Sequence, residues 1–524
     1  MFSVAKTKIA AKKSSTPVKK KIKKIKTSSP PKKLAVSEKQ PKSLSIFFLT
    51  EMWERYGFYA LQGTMAFFLI QKFGFSDVEA DIAIGTFLAL IFISPILGGI
   101  IADRFLGFRH SIILGGILLF FSYALLAIAG NFFTVALLFG GVAAGTGLLK
   151  ANVSSLLGQI YHAHDSRRDS GFTIFYVGIN TGSLLAMGLS GYIVEYLSWG
   201  WNFSIAAMGM ILSVASFVIG MKTFNIQDPH KIKTSLCKKG LAYLMTVVFI
   251  VICATLLRLE GVATWAFITA VVVSGLALIY AGIGETPKQK RRLMAFTLLA
   301  FLSCLFWAIF NQMFISFNLF IDRAVNPNIF GLHLPAPVFM AFEAVGVIVF
   351  GSLFSQLWIY LSKTRFHPST PTKFSISFLL IGLALAFLLI GLSVTNPALP
   401  LSPFWILGFY LMIAFGELCI SPIGFAMATR IATPRLAGMM MGIWLFTIGI
   451  GGKIAGYIAT LAAIPNDIHD LPEIRMIYGH AFVKFFWIAL AAFILALLFI
   501  PIIRYLISGR LSGLGTKNQK MMDC

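Results

Sequence analysis

The chain has 524 residues, of which 57% are hydrophobic and only 12% charged, with a mean hydropathy of +0.83. A soluble domain carries about 25% charged residues, so the composition excludes a soluble globular protein and requires several membrane-spanning helices. The net charge of +24 is uneven: residues 1–42 hold 14 Lys and one acid, Glu38.

Residues 1–43 form a Lys/Ser/Pro tail with no core-forming pattern, expected to be disordered. It carries neither the Arg nor, between its Lys residues, the aromatics that stacking on single strands would favour. Contact with anionic lipid headgroups at the cytoplasmic surface is therefore expected, and no nucleic-acid partner. The tail lacks an apolar segment, so no cleavable signal peptide is expected and the first spanning helix directs insertion.

Fourteen apolar runs follow, read as helices over 45–71, 81–103, 110–129, 132–160, 170–197, 201–222, 239–258, 263–283, 292–321, 336–362, 374–393, 402–431, 436–462 and 477–507. With the N-terminus inside, the inner loops collect Arg104, Arg109, Arg167, Arg168, Lys231, Lys233, Lys238, Lys239, Lys288, Arg291, Arg292, Lys363, Arg365, Lys373, Arg430 and Arg435. Arg504, Arg510, Lys517 and Lys520 also fall inside. The outer segments have Lys72, Arg258, Arg323 and Arg475, and hold Asp77, Glu79, Asp467, Asp470 and Glu473. This asymmetry supports an even number of spans with both ends in the cytoplasm. Basic segments 222–239 and 285–292 bracket one helical hairpin. The division expected is a tail (1–43), a six-helix bundle (44–224), a linker with the inserted hairpin (225–290), a second six-helix bundle (291–508) and a short cytoplasmic tail (509–524). Such paired bundles place a substrate site between them near the midplane.

The first run contains Glu51-Met52-Trp53-Glu54-Arg55. On a helix Glu51, Glu54 and Arg55 share one face, and each charge at membrane depth costs roughly 2.5–3.5 kcal/mol. Later runs carry isolated polar groups: Lys150 in Gly145-Thr146-Gly147-Leu148-Leu149-Lys150, Asn180 in Gly178-Ile179-Asn180, and Glu417 beside the Ser421-Pro422 break. Lys150 reads as a cavity charge or a structural ion pair, Asn180 as a substrate contact or a helix–helix hydrogen bonder, and Glu417 as a proton or substrate site or a structural hydrogen bonder. None of the eight His lies mid-helix, which favours carboxylates as proton sites. The five cysteines, Cys237, Cys253, Cys304, Cys419 and Cys524, show no paired or metal-ligand spacing, and read as buried or free thiols. No HExxH or GxSxG is present, so neither a metal, a cofactor nor an enzymatic activity is expected.

After the second run, Gly98-Gly99-Ile100-Ile101-Ala102-Asp103-Arg104-Phe105-Leu106-Gly107-Phe108-Arg109 resembles the signature loop of the major facilitator superfamily. Its Asp103, Arg104, Gly107 and Arg109 would form a cytoplasmic latch, with charges paired across neighbouring helix ends. Four motifs in order, ExxER, GxGLxKxNVSSL (145–156), GFTIFYxGIN (171–180) and GELCxSPxG (416–424), together with PRLAGMMMGIWLF (434–446), resemble the proton-dependent oligopeptide transporter family, over roughly residues 43–507. The resemblance implies an all-α polytopic membrane protein of the major facilitator fold, with 14 transmembrane helices, in the bacterial inner membrane. It implies a proton-coupled symporter of di- and tripeptides or related, including cationic, solutes. The alternative is a non-transporting sensor of the same fold.

The same resemblance gives proton-coupling roles to Glu51, Glu54, Arg55, Lys150 and Glu417, with Lys150 paired to the first-helix acids. Substrate-binding roles fall on Tyr59, Gln62, Lys150, Asn180, Trp307, Asn311, Glu343, Glu417 and Trp444, the two Trp lining side-chain pockets. Three positions depart from the family pattern. Gln62 replaces an Arg, Asn311 replaces the acid of an F-E-Q motif, and Glu343 replaces an Asn. These changes leave Lys150 set against Glu343 and Glu417 in the pocket: either this suits it to cationic substrates, or Gln62 still hydrogen-bonds a substrate carboxylate and ordinary peptides pass.

Overall fold

A computed structural model describes residues 39–161, 167–226, 228, 235–364, 366, 368–424, 427 and 437–508. The basic tail up to residue 38 lies outside the described residues, as do Lys231, Lys233, Arg365, Arg430, Arg435, Arg510, Lys517, Lys520, the end of the 402–431 run and the start of PRLAGMMMGIWLF.

The apolar runs fold as helices α1 (Leu44–Phe67), α2 (Asp77–Ile101), α3 (Phe108–Leu126), α4 (Phe132–Gln159), α5 (Arg168–Tyr196), α6 (Trp199–Thr223), α7 (Leu236–Arg258) and α8 (Glu260–Gly282). There follow α9 (Pro287–Phe310), α10 (Ser316–Ala324), α11 (Ala336–Ser362), α12 (Thr370–Val394), α13 (Pro403–Leu418), α14 (Ala437–Ala459) and α15 (Leu471–Ser508). Thirteen of the described spans are long and apolar enough to cross a membrane, with α9 and α10 counted as one. At 24 residues α1 is also long enough, about 36 Å, and differs from the others in its three mid-helix charges.

Several helices begin earlier than their apolar runs because capping residues extend them. Ser76 and Glu79 form a capping box at the start of α2, and Ser235 and Thr286 accept backbone N–H groups at the starts of α7 and α9; each satisfies N–H groups the helix leaves open. Two expected single helices are broken. The 292–321 run passes through a 3-10 turn at Asn311–Phe314 and a non-helical Ile315 before α10 begins. The 402–431 run stops at Leu418 and turns at Cys419 and Ile420. The start of α15 at Leu471 places the exposed His480 inside a helix, against the expectation for histidine.

The described residues from Gln40 onward form one packed unit. Helix α1 packs on α5 and α6, and α2 and α3 pack on α4; on the other side, α12 packs on α13 and α15, and α9 on α14 and α15. The two groups meet where α2 lies against α14 and α5 against α11. Close approach of α2 and α4 depends on glycine: a Cβ on Gly98 would stand 2.0 Å from the Gly147 carbonyl oxygen. Asn152 donates across the same contact to the Gly98 carbonyl at 3.3 Å. Helix α7 packs along α4, whereas α8 has few contacts and is mostly exposed.

The basic residues Arg104, Lys238, Lys239, Lys288, Arg292 and Lys363 occur at the helix ends facing the side where α1 begins, here called the near face. Asp77, Arg323 and Arg475 stand at the far face. There Arg475 donates to the carbonyls of Asn396 and Leu399 at 2.5 and 2.6 Å, and also to those of Leu392 and Thr395. This places a cation over the open carbonyls at the C-terminal end of α12.

Candidate functional site

Between the two groups of helices lies a cavity of about 2850 Å³. Its lining runs from Gln62, Asn311 and Glu343 in the interior to Asp103, Lys373 and Arg504 at the near-face mouth. The far side is closed by bonds between the two helix groups. Asp77, at the first turn of α2, receives Arg323 at 2.6 and 2.8 Å and the Ile464 N–H at 2.9 Å. Arg323 also donates to the Tyr478 hydroxyl at 3.2 Å. Asn318 donates to the Gly63 carbonyl at 2.8 Å, and Lys453 to the Thr86 hydroxyl at 2.8 Å. A two-residue β-hairpin (β1, Asn328–Ile329; β2, Leu332–His333) turns through Phe330 and Gly331, both at positive φ. It brings His333 to 3.0 Å from Glu195 at the end of α5.

The charged face of α1 is buried: Glu51, Glu54 and Arg55 are each at most 2% exposed. Arg55 makes a two-pronged hydrogen-bonded ion pair with Glu54, through Nε and Nη2, and its guanidinium lies 4.6 Å over the Phe58 ring. Glu54 also accepts from the Thr146 hydroxyl of α4 at 3.1 Å. Glu51 is answered less well: its nearest cationic atom is Arg55 Nε at 3.8 Å, and neither of its oxygens has a hydrogen-bond partner.

Lys150 lines the cavity on α4, as expected. Among the described residues, however, no carboxylate lies within ion-pair distance of it; its ammonium is 5.8 Å over the Phe92 ring. The charges acting on it are Arg55, Glu51 and Glu54. It thus belongs electrostatically with the α1 face, the group it was expected to join, although it makes no ion pair with those acids.

Glu343 on α11 and Glu417 on α13, two helices packed on each other, both line the cavity on the side of the second helix group. Tyr59 and Tyr176 lie within electrostatic reach of both. Asn180 lines the cavity next to them, with its amide donating to the Tyr176 carbonyl at 2.9 Å. Gln62 is 3% exposed, lines the cavity, and its Oε1 has no partner. Asn311 sits in the 3-10 turn and donates to the Trp307 carbonyl at 2.8 Å. Trp307 lines the cavity and packs edge-on against Phe310.

Two sequence expectations are corrected. Trp444 does not line the cavity: it is 2% exposed, packed against Phe296 and Phe374. Gly424 leaves room for its ring, since a Cβ there would stand 1.9 Å from Trp444 Cζ2. The loop charges do not pair with one another. Asp103 and Arg104 are exposed without an ion pair among the described residues, and Gly107 turns at φ +76° into α3. The Arg109 N–H binds the Asp228 carboxylate at 2.9 Å.

Sequence reading missed Lys453, a buried cation in α14 whose signal is the same as that of Lys150, a lone Lys in a Gly-rich apolar helix. It also treated Asp77 and Arg323 only as loop charges, and left Asp81 unremarked. Asp81 is 1% exposed, with an oxygen that has no partner.

A sequence model of the POT family matches residues 109–476. The chain belongs to the POT family. It is 31% identical over 467 residues to dipeptide and tripeptide permease A of Serratia proteamaculans, covering 88% of this chain and 90% of that one. It is 30% identical over 447 residues to the peptide transporter YePEPT of Yersinia enterocolitica, covering 80% and 87%. Among solved structures it resembles tetrameric PepTSo2, with a TM-score of 0.78, 26% identity and 88% and 99% coverage. It also resembles a mutant peptide transporter POT in complex with alafosfalin, with a TM-score of 0.77, 27% identity and 90% and 96% coverage. The fold is accordingly the major facilitator fold of these transporters, and the chain is a multi-pass membrane transporter.

Proposed function

We propose that this POT-family member is a proton-coupled importer of di- and tripeptides and related solutes, working by alternating access. The observation that carries this reading is the buried Glu51–Glu54–Arg55 face of α1, which borders a cavity open at the near face and sealed at the far face. The two helix groups, 44–224 and 291–508, would rock about this cavity, with the near face cytoplasmic in a bacterial inner membrane. The basic tail would rest on anionic headgroups there. No bound cofactor is invoked; the proton gradient drives the cycle.

A proton arriving from the far side neutralises a carboxylate in the group Glu51, Glu54, Arg55 and Lys150, or at Glu417. Glu51 is the acid of the first helix without a hydrogen bond, so protonating it disturbs the fewest contacts. Protonating Glu54 instead releases Arg55 and Thr146, and frees α1 to move against α4. Substrate meets Tyr59, Gln62, Lys150, Asn180, Trp307, Asn311, Glu343 and Glu417; Trp444 is left out because it is core. One proton moving through 100 mV supplies about 2.3 kcal/mol, enough for roughly fifty-fold accumulation of a neutral substrate.

The test is uptake of labelled dipeptide by proteoliposomes under an imposed pH gradient. The intact protein should accumulate peptide. Glu54→Gln should cut gradient-driven uptake at least about tenfold, one decade being 1.4 kcal/mol, while exchange of peptide across the membrane persists. Unchanged uphill uptake in Glu54→Gln rules out its coupling role. No uptake of any peptide by the intact protein leaves the non-transporting sensor.

A further inference from the structure

The far-side seam between α2 and α14 buries an acid that closure itself deprives of water. Asp81 lies one turn inside Asp77 on α2 and is 1% exposed. Its Oδ1 has no hydrogen-bond partner, and no cation stands within ion-pair distance of the carboxylate among the described residues. The cover is glycine packing. A Cβ on Gly456 would stand 2.6 Å from the Asp81 carbonyl oxygen, and one on Gly85 would stand 2.8 Å from Gly456 Cα. Backbone therefore lies on backbone at this depth.

The neighbouring charges do not answer Asp81. Those that act on it are Asp77, of like sign, and Arg323 of α10, whose guanidinium is taken by both oxygens of Asp77. The Tyr478 phenol of α15 faces the same group and accepts from Arg323. On α14, Lys453 donates to Thr86 at 2.8 Å and lies 4.8 Å over the Tyr457 ring, whose hydroxyl is bonded to Thr264 of α8. Other charges on elements packed against α2 point elsewhere: Lys72 lies over Phe68, Arg258 of α7 lies over Phe133, and Glu260 of α8 is exposed.

A carboxylate out of water and without a partner gives up its charge by taking a proton. The same group in water is ionised above about pH 4. Water reaches Asp81 once α2 and α14 part at the far side. Closing this side therefore takes up one proton, and opening it returns the proton to the far side. By linkage the closed form gains as pH falls and the open form gains as pH rises, by up to about tenfold in their ratio per pH unit. Acid at the far side thus promotes the closure that follows substrate entry, with no net proton carried inward by Asp81.

We propose that Asp81 is a proton-operated closing element of the far gate: the α2–α14 seam shuts when Asp81 is protonated and is held open when it is ionised. This rests on the alternating-access reading and adds a regulation of that cycle, separate from the acids of α1.

The experiment reads the far gate with a cysteine in place of Asn311, Cys237 and Cys524 being replaced by Ser, in vesicles holding the full chain at equal pH on both faces. Impermeant maleimide is given from one face at a time, and the far-to-near labelling ratio cancels the ionisation of the thiol itself. Between pH 6 and 7 the parent's ratio should rise at least about fivefold, against a ceiling of about tenfold. Asp81→Asn, neutral at either pH, should hold the rise within about twofold. Gly456→Ala keeps the carboxyl but pushes α14 away from it; it should raise far labelling at both pH values and also flatten the response. Asp77→Asn should raise far labelling at both values and keep the response, which separates the proton site from a merely structural contact at the same seam. A flat response in the parent, or one in Asp81→Asn as steep as the parent's, overturns the proposal. Gradient-driven peptide uptake by the intact protein is measured alongside. Its absence overturns the transport reading, while the labelling ratios still decide the gate.

Discussion

Glu51 and Glu54 lie three positions apart on α1 and share a face, yet their surroundings differ. Glu54 holds Arg55 through two bonds and accepts a third from Thr146, whereas both Glu51 oxygens lack partners. Replacing Glu54 by Gln leaves Arg55 buried with only the 3.8 Å contact to Glu51. Removing one member of a buried pair costs about 3–5 kcal/mol, so Glu54→Gln should lower the melting temperature clearly. Glu51→Gln replaces a buried, poorly answered charge with a neutral group of the same shape, and should be neutral or stabilising. Melting both variants in the same detergent at one pH checks this ordering, and a larger loss in Glu51→Gln would contradict it. The shared face was legible from spacing alone, because i, i+3 and i+4 positions align on any helix. Which acid would capture the guanidinium was not, since Thr146 comes from a different helix, 92 positions along the chain from Glu54. Trp444 was illegible for a related reason: a Trp in an apolar helix reads alike whether it faces a cavity or, as here, the space left by Gly424.

At the scale of the helices, apolar runs located every span because bilayer thickness fixes their length. Their ends were shifted by polar caps, which hydropathy does not weigh. The break at Ile315 was hidden because Phe314, Ile315 and Phe317 continue the apolar run through a change of backbone direction. Packing between helices turns on individual small residues, and the adjacent Gly98 and Gly99 separate two effects of glycine. A Cβ on Gly98 would strike the Gly147 carbonyl, whereas one on Gly99 meets nothing within 4 Å. Gly98→Ala must push α2 from α4 and should cost about 1–3 kcal/mol. Gly99→Ala should gain up to about 1 kcal/mol from the lower entropy of the unfolded chain and better helix propensity. Thermal melts of the pair are the measurement, and equal behaviour of the two variants would show that the α2–α4 contact is not close-packed at this point.

For the molecule as a whole, one arrangement is held by asymmetry between its two faces. The near side of the cavity is open, while the far side is bound by Asp77, which gathers Arg323, the Ile464 N–H and, through Arg323, the Tyr478 hydroxyl. These residues come from three separate parts of the second helix group, and Asp77 and Arg323 are 246 positions apart. No local pattern links them in the sequence; only the packing of α2 against α14 brings them together. A charge-assisted bond is worth about 1.5–3 kcal/mol, and a change of 1–3 kcal/mol moves a two-state ratio about 5–150-fold. Asp77→Asn and Arg323→Gln should therefore each raise the population open at the far side. Because the two residues share one pair of bonds, the double variant should do little more than either alone. A cysteine in place of Asn311, which lines the cavity, reads the change when labelled with an impermeant maleimide. The exposed Cys237 and also Cys524, which lies outside the described residues, are first replaced by Ser so that they do not contribute. The parent should label from the near face and resist labelling from the far face, and either latch variant should label from the far face at least about fivefold faster. Far-face labelling that stays at the parent level in both single variants and the double would mean that Asn318, Lys453 and the packing of Gly85 against Gly456 hold the seal without the Asp77–Arg323 pair.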